Sequence, residues 1–200
     1  MAKPAYIGVS GVARKIKCGY IGVEGVARKI KVGYIGVDGV ARATFGGEWY
    51  SSGLTYSLVN GTYTVTGIGS CTDTEVIIPS TYNDIAVTAI GASAFANNKI
   101  VTRVVIPNSV TNIDTKAFYW MTNLASVVIG DGVTNIGGSA FWKCEKLTTV
   151  TIGKSVSYIG YSAFSFCDAL GTVYYTGTAA QWNAIEIKDM KIGGVNRIYI

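Results

Sequence analysis

The chain has 200 residues, 49% of them hydrophobic and only 14% charged, a balance that excludes a disordered polyelectrolyte. Its net charge of +5 comes from residues 1–42, where eight Lys/Arg face only Glu24 and Asp38. There is no histidine, so the commonest general base and the commonest metal ligand are both missing.

From the N-terminus, no apolar run is long enough for a signal-peptide core or a membrane-spanning helix. That points to synthesis in the cytoplasm, with any exit needing another route, of which release in an assembled particle by lysis is one. Tyr6, Tyr20 and Tyr34 each open the phrase YIGVxGVAR, a repeat of 14 residues. Each unit predicts a strand, a two-residue turn (Ser10-Gly11, Glu24-Gly25, Asp38-Gly39) and a second strand. With side chains alternating, Val12, Arg14, Ile16 and Cys18 share one face, and Val26, Arg28, Ile30 and Val32 do so in the next unit.

So short a piece buries too little surface to be secure alone. Residues 1–42 are therefore expected to be a docking module, partnered by further copies of the chain or by other components of an assembly. Tyr6, Arg14, Tyr20, Arg28, Tyr34 and Arg42 are its candidate contacts. The opposite face, with Lys15, Lys17, Lys29 and Lys31, could attract phosphate. A solvated face that protects strand edges accounts for those lysines more simply, so nucleic acid is the weaker reading.

Residues 43–53 fit neither repeat and predict a linker. Leu54–Val59 and Thr62–Ile68 flank Asn60-Gly61, a hairpin signal, and predict the N-terminal cap of a larger domain.

That domain carries a second repeat, of 23 residues. Phe95, Phe118, Phe141 and Phe164 keep this step, as do Ile90, Ile113, Ile136 and Ile159. So does the series Val101, Leu124, Leu147 and Leu170, with a Val three residues on and Ile or Tyr two beyond it. L-x-x-V-x-I is the strand spacing of a leucine-rich repeat, in which one unit cannot bury its own apolar face and stacking does so. The rest of each unit predicts a turn, a V-x-x-I segment and one helical turn around Ala-Phe. The period breaks after Tyr175. Thr178-Ala179-Ala180-Gln181 has capping-box spacing and predicts a short helix through Ala184, and 195–200 predict a last strand. The fold class is thus mainly β with short helical turns: a capped solenoid at 54–200 behind a small hairpin module.

Within the solenoid, the residues between the apolar strand positions should line the concave sheet. They are Arg103, Val105, Ser126, Val128, Thr149, Thr151, Thr172 and Tyr174, of which Arg103, Ser126, Thr149, Thr151, Thr172 and Tyr174 are the candidate contacts. Tyr119, Trp120, Trp142, Tyr161 and Phe166 flank the buried Phe positions. They form either an exposed aromatic patch for a protein or sugar or packing between neighbouring turns. Cys144 and Cys167 share a repeat position with Met121, which favours a buried ladder of small hydrophobes over a redox pair. No C-x-x-C pair exists, Asp114 and Asp131 have no carboxylate partner at a defined spacing, and Ser-x-Ala-Phe is a repeat feature. No catalytic residue, metal or cofactor is expected.

The phrases IDTKAF (113–118), IGGSAF (136–141) and IGYSAF (159–164) resemble the BspA-like leucine-rich repeats of bacterial surface and secreted proteins. Residues 61–90 and the tail Tyr174–Gly177 with Gln181-Trp182-Asn183 are similar to caps of that family. The resemblance covers about residues 54–200. It implies a non-enzymatic solenoid that binds host-surface proteins or glycans. The YIGVxGVAR units resemble basic repeats of prophage-encoded virion or tail proteins, which implies a virion component. A bacterial surface adhesin is the alternative.

Overall fold

The computed structural model describes residues 50–200 in full and, before them, the backbone of 6–9, 12–15, 19–23, 26–30, 35–37, 40–45 and 48–49. The chain forms two compact units, residues 1–52 and 53–200.

In the first unit three antiparallel pairs follow the 14-residue step. They are β1 (Tyr6–Val9) with β2 (Val12–Lys15), β3 (Gly19–Val23) with β4 (Val26–Ile30), and β5 (Ile35–Val37) with β6 (Val40–Phe45). Pairing keeps the same register each time, with Ile7 opposite Arg14, Ile21 opposite Arg28 and Ile35 opposite Arg42. The expected turn dipeptides lie outside the described residues. Strand β6 continues through Phe45 and pairs with β7 (Glu48–Tyr50), with Ala43 opposite Tyr50. Thr44, Phe45, Trp49 and Tyr50 favour strands, and a Gly-Gly between two such runs is a hairpin spacing as well as a linker composition.

The second unit opens on a hairpin of β8 (Thr55–Val59) and β9 (Thr62–Gly67). Asn60 and Gly61 join them with φ of 49° and 79°, the two left-handed residues of a type I′ turn. After β10 (Glu75–Ile77), a smaller hairpin of β11 (Thr81–Tyr82) and β12 (Ile85–Ile90) turns through left-handed Asn83 and Asp84. The repeats then supply a longer and a shorter strand per turn. These are β13 (Arg103–Ile106) and β14 (Asn112–Ile113), β15 (Ser126–Ile129) and β16 (Asn135–Ile136), then β17 (Thr149–Ile152) and β18 (Tyr158–Ile159). Strand β19 (Thr172–Tyr175), helix α1 (Ala179–Asn183), β20 (Glu186–Ile187), helix α2 (Met190–Gly193) and β21 (Asn196–Tyr199) complete the unit.

Stacking assembles two sheets. The longer strands form a six-stranded parallel sheet in the order β10-β13-β15-β17-β19-β21. The shorter ones form a ladder running β20-β18-β16-β14-β12-β9-β8, parallel apart from the β8–β9 hairpin. Between them lies the core, in which Val104, Ile106, Val110, Ile113, Phe118 and Leu124 of one turn sit on their equivalents in the next. Phe95, Phe118, Phe141 and Phe164 stack with ring centroids 5.0 Å apart and planes within 10°. Burying each ring contributes about 1.5–3 kcal/mol. The turns approach so closely that a Cβ on Gly153 would stand 2.3 Å from the Gly130 carbonyl oxygen.

The helical turn expected around Ala-Phe is not there. Ser93, Lys116, Ser139 and Ser162, before each Ala-Phe, have left-handed φ of 55–60°, and so do Asn97, Trp120, Lys143 and Phe166, two residues after each Phe, at 55–64°. A left-handed residue cannot continue a right-handed helix. Instead, alternate amides point along the stack, and those of Phe95, Phe118 and Phe141 donate to the carbonyls of Ala117, Ala140 and Ala163 at 2.7–2.8 Å.

The C-terminal end is closed as its spacing predicts and by one element more. Thr178 and Gln181 form a reciprocal capping box on α1, which buries Trp182. Helix α2, not expected from the sequence, has Asp189 as its N-cap and buries Ile192.

Candidate functional site

The outward positions of the six-stranded sheet fall into two columns. Strand register aligns Glu75, Arg103, Ser126, Thr149, Thr172 and Asn196 in one, and Ile77, Val105, Val128, Thr151, Tyr174 and Ile198 in the other. All six expected concave-sheet contacts lie in these columns and all reach solvent, Arg103 most and the others partly. Their neighbours Val104, Val127, Val150 and Val173 point inward and are buried. Arg103 Nη1 stands 3.3 Å from Glu75 Oε1, which neutralises the one charge the columns carry between β13 and β19. The surface between β13 and β19 is therefore mainly a strip of hydroxyls and methyls closed by one aromatic, Tyr174, with hydrogen-bonding capacity.

The aromatic side chains beside the Phe ladder divide into two kinds. Tyr119 and Trp142 are half-buried and stack on each other across adjacent turns, centroids 4.8 Å apart and planes within 5°. These two pack between turns. Trp120, Tyr161 and Phe166 are 40%, 68% and 57% exposed. Phe166 meets Trp142 edge to face at 5.2 Å. Lysines lie over this column. Lys99 and Lys143 are 5.8 and 5.1 Å from the Trp120 ring centroid, Lys116 is 5.6 Å from Tyr119, and Lys143 is also 5.9 Å from Trp142. Trp120 and Phe166 occupy the left-handed position that Asn97 fills in the first turn, a conformation Asn tolerates and bulky residues rarely adopt.

Of the N-terminal candidates, Tyr34 lies outside the described residues. For Tyr6, Arg14, Tyr20, Arg28 and Arg42 the backbone alone is described, each on a paired strand.

The thiols belong to the core. Cys144 and Cys167 are fully buried below Met121, and their Sγ atoms donate to the carbonyls of Phe118 and Phe141 at 3.3 and 3.1 Å. The hydrogen bond with Cys167 and burial push the Cys144 thiol far above its usual range, the opposite of what a nucleophile requires. Cys71 is half-buried, and Cys18 lies outside the described residues. Among the described residues no three His, Cys, Asp or Glu side chains converge as metal ligands, and no helix is long and apolar enough to cross a membrane.

Three features escaped the sequence reading. Tyr56, Tyr63 and Tyr82 cluster on the N-terminal cap, with Tyr56 and Tyr82 stacked at 4.0 Å. The signal was Tyr at alternating hairpin positions, but which strands neighbour each other is a tertiary matter. Asp131 ties its own turn to three others: it accepts from the Thr176 hydroxyl and the Lys154 amide, while its own amide donates to Asn108 Oδ1 at 2.8 Å. Asp189 is the third. Its buried carboxylate serves the last Phe of the ladder, and the signal was an Asp before a short segment ending in Gly-Gly.

No curated protein sequence matches the chain. Among solved structures, it is similar to a leucine-rich repeat protein from Bacteroides ovatus ATCC 8483, with a TM-score of 0.59 and 24% identity over 74% of this chain and 40% of that one. It is also similar to a leucine-rich repeat protein from Bacteroides capillosus ATCC 29799, with a TM-score of 0.52 and 30% identity over 62% of this chain and 95% of that one. Residues 88–192 match the BspA type Leucine rich repeat region in six copies, and with more than half of its length inside that match the chain belongs to this leucine-rich-repeat family.

Proposed function

We propose that the chain is a non-enzymatic recognition protein. On this reading the solenoid presents a binding surface for a host-surface protein or glycan, and residues 1–42 fix it to a larger particle, such as a phage or prophage virion. The observation that carries the recognition part is the outward face of the six-stranded sheet, two aligned columns of small polar and apolar side chains held rigidly by the stack. Such a surface offers many hydrogen bonds and no acid–base pair, which suits binding rather than turnover. Support for attachment is the constant register of the N-terminal pairs, which repeats one basic hairpin unit three times.

Light scattering on the full chain beside one starting at Gly53 tests the division of labour. We expect a defined oligomer for the full chain and a monomer for the shorter one. Two monomers would overturn self-assembly through residues 1–42. The second reading, a free-standing bacterial surface protein, rests on family membership alone. It gains if fractionation finds the chain on intact cells and absent from particles.

A further inference from the structure

Trp120 and Phe166, beside the Phe ladder, combine an exposed ring with a left-handed backbone. Trp120 and Phe166 have φ of 55° and 60°. The left-handed conformation is strained for an L-residue. The equivalent Asn97 shows that the turn forms with a small residue there. Both side chains are nonetheless well exposed, Trp120 by 40% and Phe166 by 57%, although Phe166 also meets Trp142 edge to face. Strained residues with exposed apolar side chains are a mark of a surface kept for contact.

The lysines state what kind of contact. Lys99, Lys116 and Lys143 belong to three successive turns, and each holds its ammonium 5–6 Å above a ring. Among the described residues Lys99 and Lys116 have no carboxylate within ion-pair distance, and Lys143 has only the exposed Glu145 at 3.8 Å. An exposed pair of that kind is worth little. The strip crosses neighbouring turns: Lys99 and Lys143 lie over Trp120, Lys116 lies over Tyr119, and Phe166 of the following turn meets Trp142. Its match is a linear polymer whose every unit offers an apolar CH face and an anionic group at its edge. Tyr119 and Trp142 already stack on each other, so no slot is open between them for a nucleic-acid base.

We propose that the ridge formed by Lys99, Lys116, Trp120, Lys143 and Phe166 binds an anionic polysaccharide, its sugar rings resting on the exposed aromatics and its carboxylates or sulfates on the lysines. This rests on the recognition reading above and names the ligand class and a surface for it apart from the six-stranded sheet.

The test is calorimetric titration of the full chain with an oligogalacturonate and a heparin oligosaccharide, with cellohexaose and oligo(dT) as neutral and nucleic-acid probes. Trp120→Asn and Phe166→Asn adopt the residue of the first turn and so leave the fold intact. Each is expected to weaken binding of an acidic oligosaccharide about tenfold, the loss of one aromatic contact. Melting temperature should stay unchanged or rise as strain is relieved. Affinities within about twofold of the parent in both variants would overturn the proposal, since binding would then run through the N-terminal basic residues. Equal affinity for cellohexaose or tighter binding of oligo(dT) would overturn it too. Absence of any acidic-sugar binding, with a protein ligand still held at the six-stranded sheet, would remove this inference and leave the recognition reading standing.

Discussion

Asp189 Oδ2 accepts a hydrogen bond from the Phe164 amide at 2.9 Å, the bond that the carbonyls of Ala117, Ala140 and Ala163 supply to the three Phe residues before it. A side chain thus replaces the missing next turn. The other oxygen, Oδ1, caps helix α2 by accepting from the Ile192 amide, also at 2.9 Å. One buried carboxylate therefore ends the Phe ladder and starts the helix that covers it, which is how an open solenoid avoids a bare terminal turn.

Replacing this residue separates the acceptor from mere volume. Asp189→Ala leaves two buried amides without partners and should cost about 2–4 kcal/mol, from a lost cap plus desolvated donors. Asp189→Asn keeps one acceptor oxygen and should lose clearly less. Urea denaturation of both variants checks this order, and equal losses would show that the acceptor does not matter.

The middle of the ladder should be more sensitive than its end. Phe141 touches rings on both sides, so Phe141→Ala opens a cavity between two turns and should cost about 3–5 kcal/mol. A hydrogen-exchange experiment on that variant should show protection lost in β16 and β18 together, because each turn rests on its neighbours.

Acid should weaken the solenoid partly through Asp131. The Thr176 hydroxyl above all holds its carboxyl below the usual value, against the opposing effect of burial and with lesser help from the Lys154 amide and charge. A carboxyl lowered in the folded state stabilises at pH above its unfolded value, about 3.9, and that contribution disappears as pH falls through the lower folded value. Asp131→Asn should therefore be less stable than the parent at neutral pH and lose less on going from about pH 6 to about pH 3. Thermal melts across that range measure the difference. Parallel curves for the two proteins would count against the Asp131 contribution.

Thiol chemistry should report burial. Cys144 and Cys167 lie inside the stack and Cys71 is half-buried. In the native protein iodoacetamide should mark Cys71 well before the other two, as read by peptide mass spectrometry. Labelling of Cys144 and Cys167 should follow global unfolding in urea. Rapid native labelling of either would contradict the ladder packing.

Much of this molecule is legible in the sequence because its contacts repeat. The 23-residue step names the core, since every Phe118 or Ile113 packs on its own equivalent one turn away and the same apolar choice must recur. The hairpin at Asn60-Gly61 and the capping box at Thr178 were equally plain, because turn and cap chemistry is local. The sequence could not distinguish a helical turn from a left-handed one around Ala-Phe, because alternate amides there bond to the next repeat and only the others bond within their own segment. Nor could it divide the aromatics: Tyr119 and Trp142 meet only when two turns stack, while Trp120 and Phe166 are turned outward by a backbone dihedral. Asp189 is the clearest case. Its role depends on lying beside an amide 25 residues earlier, and only the closed stack brings the two together. Periodicity fixes the repeated core; the ends and the outward face are decided in three dimensions, where no repeat enforces them.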